Sequence, residues 1–166
     1  MPIAGRQPWK DVRGVGLKES KLEILLVEDE PHDVFFVRRA LEQIAQGHTL
    51  HSVANGEEAI AYLRGEGPYA ERGAFPCPNI ILCDLKMPRM NGFEFLEWVR
   101  GHPECSVIPT VIISSSSIES DVRRAYQLGA NAYMRKPTSL GELVKLIKVT
   151  YEYWGLCECP PIPKTC

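Results

Sequence analysis

Three stretches of this chain are apolar without alternation: LEILLV (Leu22 to Val27), NIILCD (Asn79 to Asp84) and PTVIIS (Pro109 to Ser114). A strand with one face in water alternates polar and apolar positions, so unbroken Ile, Leu and Val runs predict strands buried on both faces. Between the runs the period changes. Val34, Val37, Leu41 and Ile44 fall on one helical stripe, with Pro31 suited to the first turn and Gly47 to the residue beyond the end. In NGEEAIAYLRG, Asn55 with Glu58 three residues on reads as an N-cap, and NGFEFLEWVRG repeats the device with Asn91 and Glu94 before Gly101. Ile118, Val122, Ala125 and Leu128 predict a fourth helix that ends before Gly129. Ser139 with Glu142 opens a fifth, with Leu140, Leu143, Val144 and Ile147 turned inward.

LHSVAN and NAYM supply two further short strands, so strand and helix alternate five times. Right-handed crossovers between such units give an α/β, doubly wound (βα)5 flavodoxin-like fold: a five-stranded parallel sheet in the order 2-1-3-4-5 with helices on both faces. GEGPYAERGAFPCP (Gly65 to Pro78) has no periodicity and is expected to be a long surface connection. The expected division is an N-terminal arm over 1–20, one folded domain over 21–154 and a Pro- and Cys-containing tail over 155–166.

The 166 residues suit a single domain, and the charge excludes some partners. With 19 basic against 21 acidic residues, a net charge of −2 offers no broad basic field for nucleic acid or an anionic membrane. No apolar run approaches the roughly 18 to 20 residues of a membrane span, and MPIAGRQPWKDVRGVG has no signal-peptide centre, so a cytoplasmic protein is expected. Of six cysteines, Cys77, Cys83 and Cys105 are scattered, while Cys157, Cys159 and Cys166 gather in the tail at a spacing unlike a zinc finger. Reduced thiols are the expectation.

In a doubly wound sheet the ligand site lies beyond the carboxyl ends of the strands, at the switch point between the first and third. Glu28 and Asp29 follow the first run, Asp84 ends the third strand, Ser114 ends the fourth and Lys136 follows the fifth. Singly, each has a plainer account: Asp29 or Glu30 caps the helix from Pro31, Asp84 makes an Asx-turn, Ser114 leads into a cap, and Lys136 is a solvated loop lysine. Jointly they pose an electrostatic problem. Three carboxylates at one desolvated edge repel one another unless a cation joins them, and a hard, oxygen-liganded ion such as Mg2+ fits the group. Lys136 and the Ser114 hydroxyl add what is needed to grip an incoming anion. With the charge so neutralised, Asp84 is placed to attack phosphorus and become an aspartyl phosphate.

Two other chemistries fit less well. A phosphatase of the Asp-nucleophile type needs a general acid two positions after the nucleophile, where this chain has Lys86. A flavin site needs a Gly- and hydroxyl-rich loop after the first strand, where this chain has the acidic EDEPHD.

In this order and spacing, LLVEDE, DLKMPRMNG, VIISSS and YMRKP resemble the receiver domain of two-component response regulators, over about Lys21 to Thr150. The resemblance implies that Asp84 accepts a phosphoryl group from a sensor histidine kinase, with Asp29 binding Mg2+ directly, Glu28 through water and Lys86 through its backbone carbonyl. It implies that Ser114 swings to the phosphoryl oxygens, that Tyr133 moves inward behind it, and that Lys136, often before a cis Pro137, pairs with the phosphate. The side chains of Lys86 and Ser116 would tune hydrolysis. Three positions depart mildly from the family pattern: Glu28 where Asp is common, Ser114 where Thr is common and Asn91 where Asp often stands.

The chain thus reads as a stand-alone signalling switch, not a turnover enzyme, acting on a downstream protein whose identity the sequence leaves open. The connection before the third strand and the tail YEYWGLCECPPIP are similar to short regulators associated with phytochrome-type kinases, some of which dimerise through C-terminal segments. Tyr151 and Trp154 therefore carry two readings, packing on their own domain or a homodimer contact. The runner-up function is a non-phosphorylated pseudo-receiver that serves as a protein-binding module.

Overall fold

The structure, a computed structural model, describes residues 21–44, 47–158 and 160–161. The expected N-terminal arm, Cys159 and Cys166 lie outside the described residues. The order of elements is β1 (Glu23–Val27), α1 (Pro31–Ile44), β2 (Thr49–Val53), α2 (Gly56–Arg64), β3 (Ile80–Cys83), α3 (Gly92–Gly101), β4 (Thr110–Ser114), α4 (Glu119–Gln127), β5 (Ala132–Arg135) and α5 (Leu140–Leu156). The strands form one parallel sheet in the order β2-β1-β3-β4-β5, as the sequence pattern predicts.

The unbroken apolar runs are explained by the two faces of this sheet. Leu25, Val27, Ile81, Cys83 and Ile112 point to the side covered by Tyr62 and Leu63 of α2, Phe95, Leu96 and Val99 of α3 and Ala125 of α4. Their neighbours Ile24, Leu26, Ile80, Leu82, Val111 and Ile113 point to the side covered by Val37 and Leu41 of α1 and Leu143 and Ile147 of α5. Each fully buried Ile or Leu contributes about 1.5–3 kcal/mol, so both halves of every run are needed.

The caps form where the sequence places them. Asn55 accepts from the Glu58 amide at 3.0 Å and Glu58 Oε2 accepts from the Ala54 amide at 3.1 Å, which fixes the start of α2. Asn91 and Glu94 make the reciprocal pair that opens α3, and Ser139 accepts from the Glu142 amide at the start of α5. Two inward assignments do not hold. Ile118 is 58 % exposed and Leu140 46 %, because the first is the extended residue preceding α4 and the second opens α5, before either helix has settled its inner stripe against the sheet.

The connection from Gly65 to Pro78 is more than a surface loop. It contains a short 3-10 turn (Gly67–Tyr69), and the rings of Tyr69 and Phe75 pack on Tyr62 at 5.2 and 6.1 Å. Arg72 donates to the carbonyls of Tyr62 and Leu63 at the end of α2 and to that of Phe75, satisfying groups that the helix leaves unpaired.

Candidate functional site

Three backbone bonds carry the ladder one residue beyond the strands and set the polar groups at its upper edge. The Glu28 amide donates to Val53 O at 2.9 Å, the Asp84 amide to Val27 O at 3.0 Å, and the Lys136 amide to Ser114 O at 2.8 Å. Glu28, Asp84 and Lys136 thus stand at the ends of β1, β3 and β5, on the edge that holds the β1/β3 switch point. The sequence-predicted residues Glu28, Asp29 and Asp84 are brought together: one carboxylate oxygen from each lies within 4.8 Å of the others.

The Lys136 ammonium ties this edge into a network. Its Nζ lies 2.6 Å from Glu28 Oε2, 2.7 Å from Asp33 Oδ2 and 3.1 Å from Asp84 Oδ2. Burial alone would pull the ammonium down, but the hydrogen bonds and charges of Asp33, Glu28 and Asp84 hold its pKa above the ordinary lysine value. For Glu28 the balance falls the other way: burial pushes its carboxyl up, and the pull of Lys136 does not fully restore it. Burial, far more than the neighbouring Asp84, is what holds Glu28 back from ionising, and added positive charge at this edge would oppose it.

Asp84 is held at both oxygens. Oδ1 accepts from the Leu85 amide at 2.6 Å while Oδ2 faces Lys136, so the carboxylate plane is fixed. Its loop is held equally closely from behind. The Gly92 amide donates to Leu85 O at 3.0 Å, and a Cβ on Gly92 would overlap the Asp84 carbonyl oxygen and stand 2.8 Å from Leu85 Cα, which leaves room for glycine alone. Lys86 sits in this loop with an exposed side chain, and Arg89 turns it with a φ of 61°.

Ser114 is fully buried, and its hydroxyl accepts from the Ser116 amide at 3.3 Å and lies in hydrogen-bond reach of the Tyr133 phenol. Tyr133 is half-buried, with its hydroxyl donating to Ser116 O at 2.9 Å, and burial raises its phenol pKa. Ser116 itself is engaged: its hydroxyl donates to Asp121 Oδ2 of α4 at 2.5 Å. The Lys136–Pro137 bond is trans, as is every peptide bond among the described residues, against the cis form that the resemblance suggested.

Asp33 was not foreseen from sequence. An acid in the first turn of a helix has a sufficient local reason, attraction to the helix N-terminus, and that reason hides its reach across to Lys136. The available signal was its place in EDEPHD, one helical turn beyond the acidic pair.

An acidic trio, a half-buried lysine and a hydroxyl at the carboxyl edge of a 2-1-3-4-5 sheet define a receiver-type site. The family model for the response regulator receiver domain matches residues 24–148, and the chain belongs to that family, whose members serve two-component signalling. Among its relatives, response regulator Rcp1 of Synechocystis sp. is 34% identical over 131 residues, which are 79% of this chain and 87% of Rcp1. The crystal structure of the phosphorylated cyanobacterial phytochrome response regulator RcpA matches with a TM-score of 0.79 at 34% identity, covering 86% of this chain and all of that one. The Mn2+-bound form of Rcp1 matches with a TM-score of 0.76 at 33% identity, covering 84% of this chain and 99% of that one.

Proposed function

We propose that the chain is a phosphoryl-accepting switch in which Asp84 takes a phosphoryl group from a phosphohistidine of a sensor histidine kinase. The observation that carries this is the grip of Lys136 on Asp84 at 3.1 Å inside a convergent set of carboxylates. An Asp84 oxygen forms the new P–O bond as the P–N bond to imidazole breaks, and imidazole is the leaving group. The Leu85 amide and Lys136 orient the attacking carboxylate. Lys136 then pairs with the phosphoryl oxygens, and Ser114 turns its hydroxyl to them with Tyr133 following inward.

The donor set fits a divalent cation: three carboxylates converge, and the buried Glu28 resists ionisation without more positive charge. Asp29 would hold it directly, Glu28 through water, with Asp84 and the Lys86 carbonyl completing the protein ligands, and Mg2+ is the ion proposed. When bound it neutralises charge between the incoming phosphoryl group and the acceptor. Mn2+ in the related Rcp1 supports an ion of this class.

The likeness to phytochrome response regulators supports a phytochrome-like kinase as the donor, and we place that role in the cytoplasm. The output is a changed protein surface that acts on a downstream protein, with self-catalysed phosphoryl transfer but no turnover chemistry. We take 21–154 as the receiver unit, which the family match over 24–148 supports. Among the described residues no helix is long and apolar enough to cross a membrane. Tyr151 and Trp154 pack against the cluster on the α1 and α5 side, in keeping with the packing reading, and the 60 % exposed Tyr153 beside Trp154 is the residue left for a homodimer contact. A pseudo-receiver would have no need to hold three carboxylates against one half-buried lysine.

Incubation with Mg2+ and acetyl phosphate should give an acid-labile mass gain in the wild type and none in Asp84→Asn. Absence of that gain in the wild type, with its kinase as well, would sink the switch and leave the binding module.

A further inference from the structure

Lys136 Nζ has three N–H donors and three carboxylate acceptors: Glu28 at 2.6 Å, Asp33 at 2.7 Å and Asp84 at 3.1 Å. The ammonium is therefore saturated at rest, and a phosphoryl oxygen reaches it only when some partner lets go. The three partners are not equivalent. Glu28 belongs to the convergent carboxylate trio, where a cation would claim it, and Asp84 is the acceptor whose own oxygen forms the bond to phosphorus. Asp33 has neither role. It comes from the first turn of α1, outside the trio, and two-thirds of its side chain is shielded from water.

We propose that Asp33 is a positioning residue: it keeps hold of one Lys136 donor throughout, so that the other two turn together from Glu28 and Asp84 to the phosphoryl oxygens. The inference rests on the proposed phosphoryl role of Asp84. Lys136 is on the segment between β5 and α5, with its amide on Ser114 O, so without Asp33 its ammonium is held only by the two groups that leave it. Asp33 is in turn braced by α1, whose Val37 and Leu41 pack in one cluster with Leu143 and Ile147 of α5. The Asp33–Lys136 pair thereby ties the α1 end of the cleft to the element that carries the lysine. A flexible four-carbon ammonium gains affinity for an anion when its position is fixed in advance.

The test uses beryllofluoride, a phosphoryl mimic, titrated onto the full chain in saturating Mg2+, with Mg2+ affinity measured separately. Asp33→Ala should weaken beryllofluoride binding about tenfold, the scale of one charge-assisted hydrogen bond. Asp33→Glu should recover most of the loss, and Mg2+ affinity should stay within about twofold because Asp33 lies outside the trio. Circular dichroism confirms that each variant is folded. Wild-type or tighter beryllofluoride binding by Asp33→Ala would overturn the role of Asp33, and so would a parallel fall in Mg2+ and beryllofluoride affinity. A wild type that binds no beryllofluoride would instead overturn the phosphoryl reading on which the inference rests, and the inference with it.

Discussion

The two ends of the sheet bury ionisable groups in opposite ways. At the carboxyl end, Glu28, Asp33 and Asp84 are all in contact with Lys136, and the ammonium is held charged. Toward the amino end, His51 from the middle of β2 turns its ring to Tyr62 and Phe75, with ring centroids 5.5 Å away, and its Nε2 has no hydrogen-bond partner. Glu23 Oε2 is likewise unpartnered there, although its other oxygen meets Lys21 at 3.3 Å. One end keeps charge by assembling counter-charge, whereas the other pushes a titratable group toward neutrality by wrapping it in rings. Only the first leaves an arrangement that an incoming anion and cation can reorganise, and this is why the proposed function is placed at the carboxyl end, with the amino end as a floor.

The sharpest break in that contrast comes from the backbone. Gly92→Ala drives a methyl carbon into the Asp84 carbonyl oxygen, a fixed backbone atom that cannot swing away. The loop must shift, and we expect a loss of about 3 kcal/mol in chemical denaturation, the upper range for overpacking. Phosphorylation by acetyl phosphate should fall with it, because the Leu85 amide and Asp84 carboxylate move together. Native-like stability with full phosphorylation would mean that the close approach of α3 to this loop has no functional weight.

Removing the counter-charge tests the carboxyl end directly. Lys136→Ala leaves Glu28 and Asp84 buried side by side, and breaking a buried pair by deleting one partner costs about 3 kcal/mol. The loss should grow as pH rises and Glu28 can no longer relieve the repulsion by keeping a proton. Its raised pKa has the corresponding sign in the wild type: the folded state favours the protonated carboxyl, so this contribution to stability declines as pH rises through the folded value. Added Mg2+ should recover part of the deficit. Urea unfolding at two pH values, with and without Mg2+, reads all of this, and a loss independent of both would rule out charge as the cause.

How much of either end was legible beforehand divides along the same line. Strands packed on both faces leave a compositional mark, so Leu25 and Leu26 could be assigned to opposite faces of one buried strand before any contact was known. Residues at strand ends inherit their position from the topology, and for that reason Glu28, Asp84 and Lys136 were found together. Asp33 was missed because its partner is 103 residues away and its helix gives it a local alibi. Arg72 and Phe75 were missed for a different reason: they act within an aperiodic segment, where packing follows from particular side chains meeting Tyr62 and not from a repeating pattern. Ile118 and Leu140 show the converse, that a helical stripe extrapolated to the very start of its helix points into water.

The smallest expected effect sharpens the amino end. Burial lowers the pKa of His51 below its ordinary value of 6.5, with Glu23 opposing and Arg38 assisting, and its ring also faces the neutral Tyr62. A histidine that takes up protons less readily when folded lowers stability as pH falls below its unfolded value, since the unfolded chain then binds the extra proton. The wild type should therefore lose melting temperature as pH falls below about 6.5. His51→Phe keeps the aromatic bed with Tyr62 and Phe75, removes the unpartnered nitrogen and should flatten that part of the profile while leaving beryllofluoride binding unchanged. Equal slopes in the two proteins would mean that His51 is not the source of the acid sensitivity. The amino end would then be a passive floor in its titration as well as in its packing.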